Sequence, residues 1–410
     1  MMEGAAFDVA IVGGGLVGCS LAVAVSRRDP ALRVALVEAM PERSHAPSWD
    51  ERCIALNAGS RRILESIGAW DALSANAEPI LSTHISERGR FGAARFTAEQ
   101  AGLPALGYNT PLRAINDGLW QQARAAGVTV LCPARLAALE TFPDHVALRL
   151  QAEPGAPQTS LRARLLVAAD GARSAVREAL GFAADTRDYE QSAIVTAIHT
   201  RYAHAGVAYE RFLPTGPLAV LPKPRDAAGH ACSLVWTVPT AELAHYESLD
   251  DASFLARAMT EFGERLGPFL AVGRRQSYPL TRVMNEQLRA PRTVFIGNAA
   301  QSLHPVAAQG FNLGLRDAAT LAELLHEGTD PGADALLTEY ESQRRSDRAR
   351  TADFTDGLVR LFSNSLPGLR GLRHLGLLFL EIDTPARGAI LRQNLGFGAP
   401  VPALARGSSS

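Results

Sequence analysis

The stretch Val12-Gly13-Gly14-Gly15-Leu16-Val17-Gly18 constrains this chain more than any other. It carries the spacing G-x-G-x-x-G. Phe7 to Val12 before it reads as a buried strand, and Leu16 to Ser26 after it reads as a helix. Val34 to Val37 reads as a second, parallel strand, and Glu38 at its end lies 20 residues after Gly18. In such a unit Gly13 permits the tight turn, Gly15 lets the backbone approach a pyrophosphate, and Gly18 lets the helix pack on the strand. The phosphates then sit at the helix N-terminus, where N–H groups and the dipole favour negative charge. Glu38 is placed to accept hydrogen bonds from ribose hydroxyls and to disfavour a 2′-phosphate. The glycine spacing alone is a weak signal; strand, helix and acid in register make it a strong one.

Two later junctions have the same strand-to-helix character. Leu161 to Ala168 reads as an apolar strand, followed by Asp170-Gly171-Ala172-Arg173-Ser174 and a helix from Ser174 to Leu180. Asp170-Gly171 suits a turn, and Ser174 or Asp170 suits a helix cap. Thr293 to Ile296 reads as a strand ending at Gly297-Asn298-Ala299-Ala300-Gln301-Ser302-Leu303-His304-Pro305. The segment runs on through Gln309-Gly310-Phe311-Asn312-Leu313-Gly314 to Asp317, with a second helix N-terminus expected near Gly310 to Leu313. That end offers another anion-favouring dipole.

Between and beyond these junctions the pattern changes. Arg61 to Ile67 and Asp117 to Ala126 look helical, and 80–106 is irregular, with alternation at Thr83 to Ser86. Ile194 to Thr200, Ala208 to Leu213, Leu218 to Leu221 and Cys232 to Val238 read as short strands of an antiparallel or mixed sheet. Ala252 to Phe262 and Leu313 to His326 read as helices. Ala335 to Thr355 reads as a long helix with a charged face: Arg344, Arg345, Asp347, Arg348, Arg350. The expected class is α/β. A discontinuous dinucleotide domain (1–80, 104–182, 290–345) receives an inserted sheet domain (81–103, 183–289), and a C-terminal helical segment (346–405) completes the chain.

The three glycine-bearing junctions, in this order and at these distances, resemble those of the FAD-dependent aromatic hydroxylases. Gly-Asn-Ala-Ala-Gln at 297–301 stands where the family usually has Gly-Asp, and this form is similar to the ubiquinone-biosynthesis branch. Trp49-Asp50-Glu51-Arg52-Cys53-Ile54-Ala55-Leu56, Tyr209-Glu210-Arg211-Phe212, Ser233-Leu234-Val235-Trp236 and Gln343-Arg344-Arg345-Ser346-Asp347 point the same way. The resemblance implies a Rossmann-type FAD-binding domain of the para-hydroxybenzoate-hydroxylase kind. By matching position it implies FAD contacts from Gly13, Gly15, Gly18, Glu38, Arg52, Asp170, Asn298, Gly310 and Asn312. Arg113, before the Asp117 helix, joins them on a looser alignment. A neutral Asn298 still hydrogen-bonds a ribityl hydroxyl but adds no charge. The implied reaction is hydroxylation of a polyprenylated phenol with NAD(P)H and O₂ through a C4a-hydroperoxyflavin. The flavin carries the difficult chemistry, so no protein nucleophile or metal cluster is needed.

Composition narrows the field. Lys+Arg is 41 against Asp+Glu 42, a net charge of −1, so no basic field collects nucleic acid. The chain has one lysine, Lys223, and lacks a Gly-Lys-Ser/Thr loop, which argues against Schiff-base chemistry and a phosphate-loop nucleotidase. Cys19, Cys53, Cys132 and Cys232 form no C-x-x-C pair, and the histidines have no ligand spacing. Neither zinc nor a disulfide framework is expected, and a reducing cytoplasm suits the chain. Val9 to Val25 imitates a signal peptide, but glycines interrupt it and Glu3 is the only charge before Asp8; it is read as fold, not leader.

His304 and Pro305 are the side chains nearest the expected flavin. His304 reads as a packing histidine before a proton donor. Tyr108, Tyr209 and Tyr278 read as half-buried tyrosines before pocket residues. The general base is unassigned. Leu358 to Leu395 is basic and amphipathic, which fits either a patch for peripheral contact with the inner membrane face or for a partner, or a helical segment packed on the sheet domain. Association with other ubiquinone-pathway enzymes is a family expectation. Two other functions stay open: a hydroxylase of small soluble aromatics, and a non-catalytic FAD-stabilised subunit of a quinone-synthesis complex. A flavin halogenase is disfavoured, because Trp49, Trp70, Trp120 and Trp236 form no Trp-x-Trp pair.

Overall fold

A computed structural model of the chain describes residues 5–41, 52–90, 92–153, 155–363, 385–398 and 400–407. Trp49, Asp50 and Glu51, most of the amphipathic stretch (364–384) and the tail at 408–410 lie outside the described residues.

The apolar runs around the first glycine turn build a sheet buried on both faces. Ala5–Val12 lies centrally, with Gln158–Ala168 parallel on one side and Val34–Val37 parallel on the other. Thr293–Phe295 and Thr129–Leu131 extend the parallel order outward. Val9, Ile11, Leu36, Leu165 and Val167 are fully buried, as expected for strands covered by helices on each side. The helix Leu16–Arg28 packs beside Gln309–Leu324, so the first and third junctions share one end of the sheet. A hairpin the sequence reading passed over, Arg135–Thr141 with Val146–Gln151, pairs onto Gln158–Ala168.

A second sheet has nine strands and is mostly antiparallel. Its strands are longer than expected. Ala184–Thr200 runs 17 residues because an irregularity between Asp188 and Ser192, with Glu190 at φ 56°, bends the strand without ending it. Ser82–Glu87, where the sequence alternates at Thr83 to Ser86, and Ala93–Thr97, within the stretch expected to be irregular, form its far edge; Ser82–Glu87 pairs in parallel with Val207–Leu213. A separate core of Ile194, Leu234, Trp236, Phe254 and Phe262 packs Asp251–Phe262 against one face. A small third sheet, Cys53–Asn57 with Gly107–Pro111 and Glu78–Ile80, stands between the two large ones.

Three helices start earlier than their apolar spacing indicates. Asn57 accepts from the Ser60 N–H and starts a helix at Ala58, ahead of the expected Arg61. Leu112–Ala125 begins five residues before Asp117, which puts Arg113 inside the helix, paired with Asp117 at 3.1 Å. The third-junction helix begins at Gln309, one residue ahead of the N-terminus expected near Gly310 to Leu313, and ends at Leu324, short of His326. Asp334–Ser363 is the expected long helix, but Arg344 and Asp347 from its charged face are buried. Among the described residues no helix is long and apolar enough to cross a membrane.

Candidate functional site

At the first turn, geometry dictates glycine. Gly13 has φ +111°, and a Cβ there would lie 2.4 Å from the Ala169 carbonyl oxygen. A Cβ on Gly18 would lie 2.0 Å from the Gly13 oxygen. Gly15 differs: a Cβ there would meet nothing within 4 Å. The open space above Gly15 faces the start of Leu16–Arg28, which has no side-chain cap and no acid in its first turn. Helix ends normally satisfy those N–H groups with a side chain, water or ligand. Glu38 lies beside the turn, accepting from the Gly14 N–H at 2.7 Å and the Met40 N–H at 2.7 Å. Trp120 Nε1 donates to the Gly14 oxygen at 3.0 Å and fixes the turn from below.

Asp170 follows the neighbouring strand. Its Oδ2 accepts from the Val176 N–H at 3.1 Å, while Ser174 Oγ accepts from the Arg177 N–H at 3.0 Å, so both expected caps are used. Asp170 Oδ1 is buried without a hydrogen-bond partner.

The third junction closes onto the first through Val17, whose side chain would be 3.1 Å from a Cβ on Gly297 and 2.7 Å from one on Gly314. Beneath the loop, Asp317 Oδ2 accepts from the Gly297 N–H at 3.1 Å and from Gln301 Nε2 at 2.6 Å. Its Oδ1 accepts from Arg344 Nε at 2.7 Å, and Arg344 and Arg316 both reach Asp347. The Gln343–Asp347 segment is thus a buried anchor for the loop. Burial opposes charge on Asp347, but the Arg316 and Arg344 guanidiniums outweigh it and hold its carboxyl below the usual range. Asn312 is consumed by the protein: it accepts from the Asn57 N–H at 3.0 Å and donates to the Ala55 and Ala308 oxygens. Its carboxamide ties the third sheet to the loop. Gln309–Leu324 also starts without a side-chain cap, from Ala308 at φ 50°.

A cavity of about 890 Å³ opens in front of this helix start. Arg52, Asn298, Pro305, Gly310 and Asn312 line it, together with one face of the second sheet. Arg52 lies over the Tyr278 ring at 5.2 Å, and Tyr278 lines the cavity too. Tyr108 packs edge-on against Trp70 and Tyr209 against Phe262, outside the cavity lining. Arg113 is outside that lining as well. His304 is buried behind the loop: Nδ1 accepts from the Val306 N–H at 3.1 Å, and its ring meets Tyr189 edge-on. Burial, partly countered by Asp356, lowers its pKa to about 4, so it is neutral. Glu210, which the sequence reading quoted without assigning a role, also lines the cavity.

The residues fit FAD: two uncapped helix starts, an unfilled space over Gly15, an orphaned Asp170 oxygen and an adjoining apolar cavity. This combination defines a flavin-dependent monooxygenase. The chain matches the FAD binding domain family over residues 6–355 and belongs to it; it is an FAD-dependent aromatic hydroxylase, for which NAD(P)H is the co-substrate. Among its relatives, the ubiquinone hydroxylase UbiL of Rhodospirillum rubrum is 38% identical over 408 residues, covering 98% of this chain and 92% of the relative. The 3-demethoxyubiquinol 3-hydroxylase of Escherichia coli is 32% identical, covering 95% and 97%. The p-nitrophenol 4-monooxygenase of Pseudomonas putida shares the fold with a TM-score of 0.77 at 20% identity, covering 96% and 99%.

Proposed function

We propose that the protein hydroxylates the aromatic ring of a polyprenylated phenol in ubiquinone biosynthesis. The observation that carries this reading is the large cavity joining an uncapped helix start at Gln309 to an apolar sheet face. The names of the relatives support the substrate class. Bound FAD, reduced by NAD(P)H, supplies the activated oxygen that passes to the ring.

In this reading the chain's own residues do the following. Gly13, Gly15 and Gly18 shape the pyrophosphate cradle, and Glu38 takes the ribose. Asp170 offers its free oxygen at the crossing of the first two junctions. Arg52, Asn298 and Gly310 border the ring system, with Asn312 holding their wall in place. Pro305 lies on the cavity side of the loop, and the wall excludes water and orients the phenol. Arg113, on the helix Leu112–Ala125 and paired with Asp117, joins the cofactor contacts on its looser alignment. The sheet groupings support a division into an FAD-binding unit (1–80, 104–182, 290–345) and a substrate unit (81–103, 183–289). The prenyl chain of the substrate argues for a cytoplasmic enzyme that touches the inner membrane face peripherally and works beside other enzymes of the pathway. Co-sedimentation with lipid vesicles tests that placement.

Purified protein is expected to be yellow and to consume NAD(P)H and O₂ when given 2-octaprenyl-6-methoxyphenol or a shorter-chain analogue, with a hydroxylated product by mass spectrometry. A colourless protein that refuses added FAD, or cofactor oxidation without ring hydroxylation, rejects the reading.

A further inference from the structure

The floor of the cavity is one face of the second sheet. Strand register sets a row of neighbours across it: Ile85, Glu210, Ala219, Val235 and Val195. All five line the cavity. Four are apolar, and the second position, between Ile85 and Ala219, is a carboxylate. The Glu210 side chain makes no hydrogen bond or ion pair among the described residues, whereas strand alternation sends Tyr209 to the opposite face, onto Phe262. An unpaired carboxylate in an apolar wall is costly unless something polar comes to meet it.

We propose that Glu210 is the catalytic residue that receives the ring-hydroxyl proton of the phenol substrate. This rests on the function proposed above and supplies the missing base. In the step the phenol O–H bond breaks and the proton passes to a Glu210 carboxylate oxygen. The electron pair stays on the phenol oxygen, and nothing is oxidised or reduced. The phenolate then feeds electron density into the ring positions ortho and para to it, which is what a ring carbon needs to accept an electrophilic oxygen. The same carboxyl can return the proton to the product's oxygen.

Burial alone pushes the Glu210 carboxyl up to about 7 from an ordinary 4.5. Against a phenol near ~10, that rise makes the proton transfer less uphill by roughly two to three powers of ten. The other titratable groups lining the cavity are Arg52, Cys53 and Tyr278. Glu87 follows Ile85 on the same face of the adjoining strand, at the level of Phe212. Arg387 lies over the Phe96 ring from the C-terminal side, and Asp356 on the long helix is held by Tyr189 and Arg282.

The test compares FAD-loaded wild type, Glu210→Gln and Glu210→Asp with a short-chain prenylated methoxyphenol. Wild-type kcat is expected to rise about tenfold per pH unit up to a plateau above about 7. Glu210→Gln should lose that limb and about a hundredfold or more in kcat, and Glu210→Asp should keep the limb. Without turnover, the ultraviolet absorbance of phenol bound to oxidised holoenzyme should shift toward phenolate at pH 8 in wild type and not in Glu210→Gln. A wild type that hydroxylates no phenol overturns the underlying function. A wild type that does so, with Glu210→Gln keeping limb and rate within twofold, overturns this inference alone. If Glu210→Gln does not bind FAD, wild type and Glu210→Asp decide: absence of a limb near 7, or no phenolate signal, overturns it.

Discussion

At the residue scale, two glycines of the first turn answer to different masters. Gly18 is forced by the protein, because any Cβ meets the Gly13 oxygen. Gly15 is forced by nothing in the protein, because its φ of −70° suits any residue and its Cβ direction is empty. The prediction is a split. Gly15→Val should leave the unfolding temperature of the apoprotein within a few degrees while weakening FAD binding by about tenfold or more, as expected when a side chain fills a pyrophosphate cradle. Gly18→Ala should destabilise the apoprotein by about 1–3 kcal/mol through overpacking. Fluorescence titration with FAD and thermal scans without it separate the two. His304 gives a pH signature at the same scale. Its folded pKa of about 4 lies below the 6.5 of the free imidazole, so the unfolded chain binds the extra proton between those values. Stability should therefore fall as pH drops from about 6.5 to 4, by up to about 3 kcal/mol. His304→Gln keeps an acceptor for the Val306 N–H and should flatten that decline in a pH series of melting curves.

At the scale of elements, the long helix Asp334–Ser363 shows how far a pattern can be read. Its existence was legible, because apolar and charged residues alternate with helical spacing. Its role was not, because Arg344 and Asp347 look like solvent charges until Arg316 and Asp317 arrive from a helix some thirty residues away. The same limit hid the place of Ser82–Glu87, whose partner Val207–Leu213 lies more than a hundred residues on and which in turn pairs Ala93–Thr97 at the sheet edge. The glycine junctions were legible because turn, strand and helix are local there. Glu210 was unassignable from sequence, since its meaning depends on apolar neighbours from four other strands. The buried network carries its own prediction. Asp347→Asn leaves the Arg316 guanidinium without its carboxylate, while Arg344 keeps Asp317, and should cost about 3–5 kcal/mol in urea unfolding. Replacing Arg316 and Asp347 together by Met and Leu should cost less than Asp347→Asn alone, because no charge on that pair is left buried without its mate.

At the scale of the molecule, no single sheet owns the cavity. Cys53–Asn57 of the third sheet, the row around Glu210 in the second, the Pro305 loop, Phe354 of the long helix and Ile390, Leu391 and Leu395 near the C-terminus all face it. Arg52, Asn298, Asn312 and Glu210 are among the polar groups of the lining, while Ile85, Phe96, Leu106, Phe212 and Leu395 are apolar. A phenol head beside the polar groups leaves its tail to the apolar ones. Burying a methylene is worth about 0.8 kcal/mol, so one five-carbon isoprene unit has a ceiling near 4 kcal/mol, of which conformational ordering takes a share. KM should therefore fall by about tenfold or more from an unprenylated methoxyphenol to its singly prenylated form, and then level off once the tail outgrows the wall. Leu391→Asp should erase most of that gain without changing FAD content. Equal kcat/KM for prenylated and bare phenols would transfer the apolar wall from substrate recognition to folding, and would favour a small soluble aromatic as the true substrate.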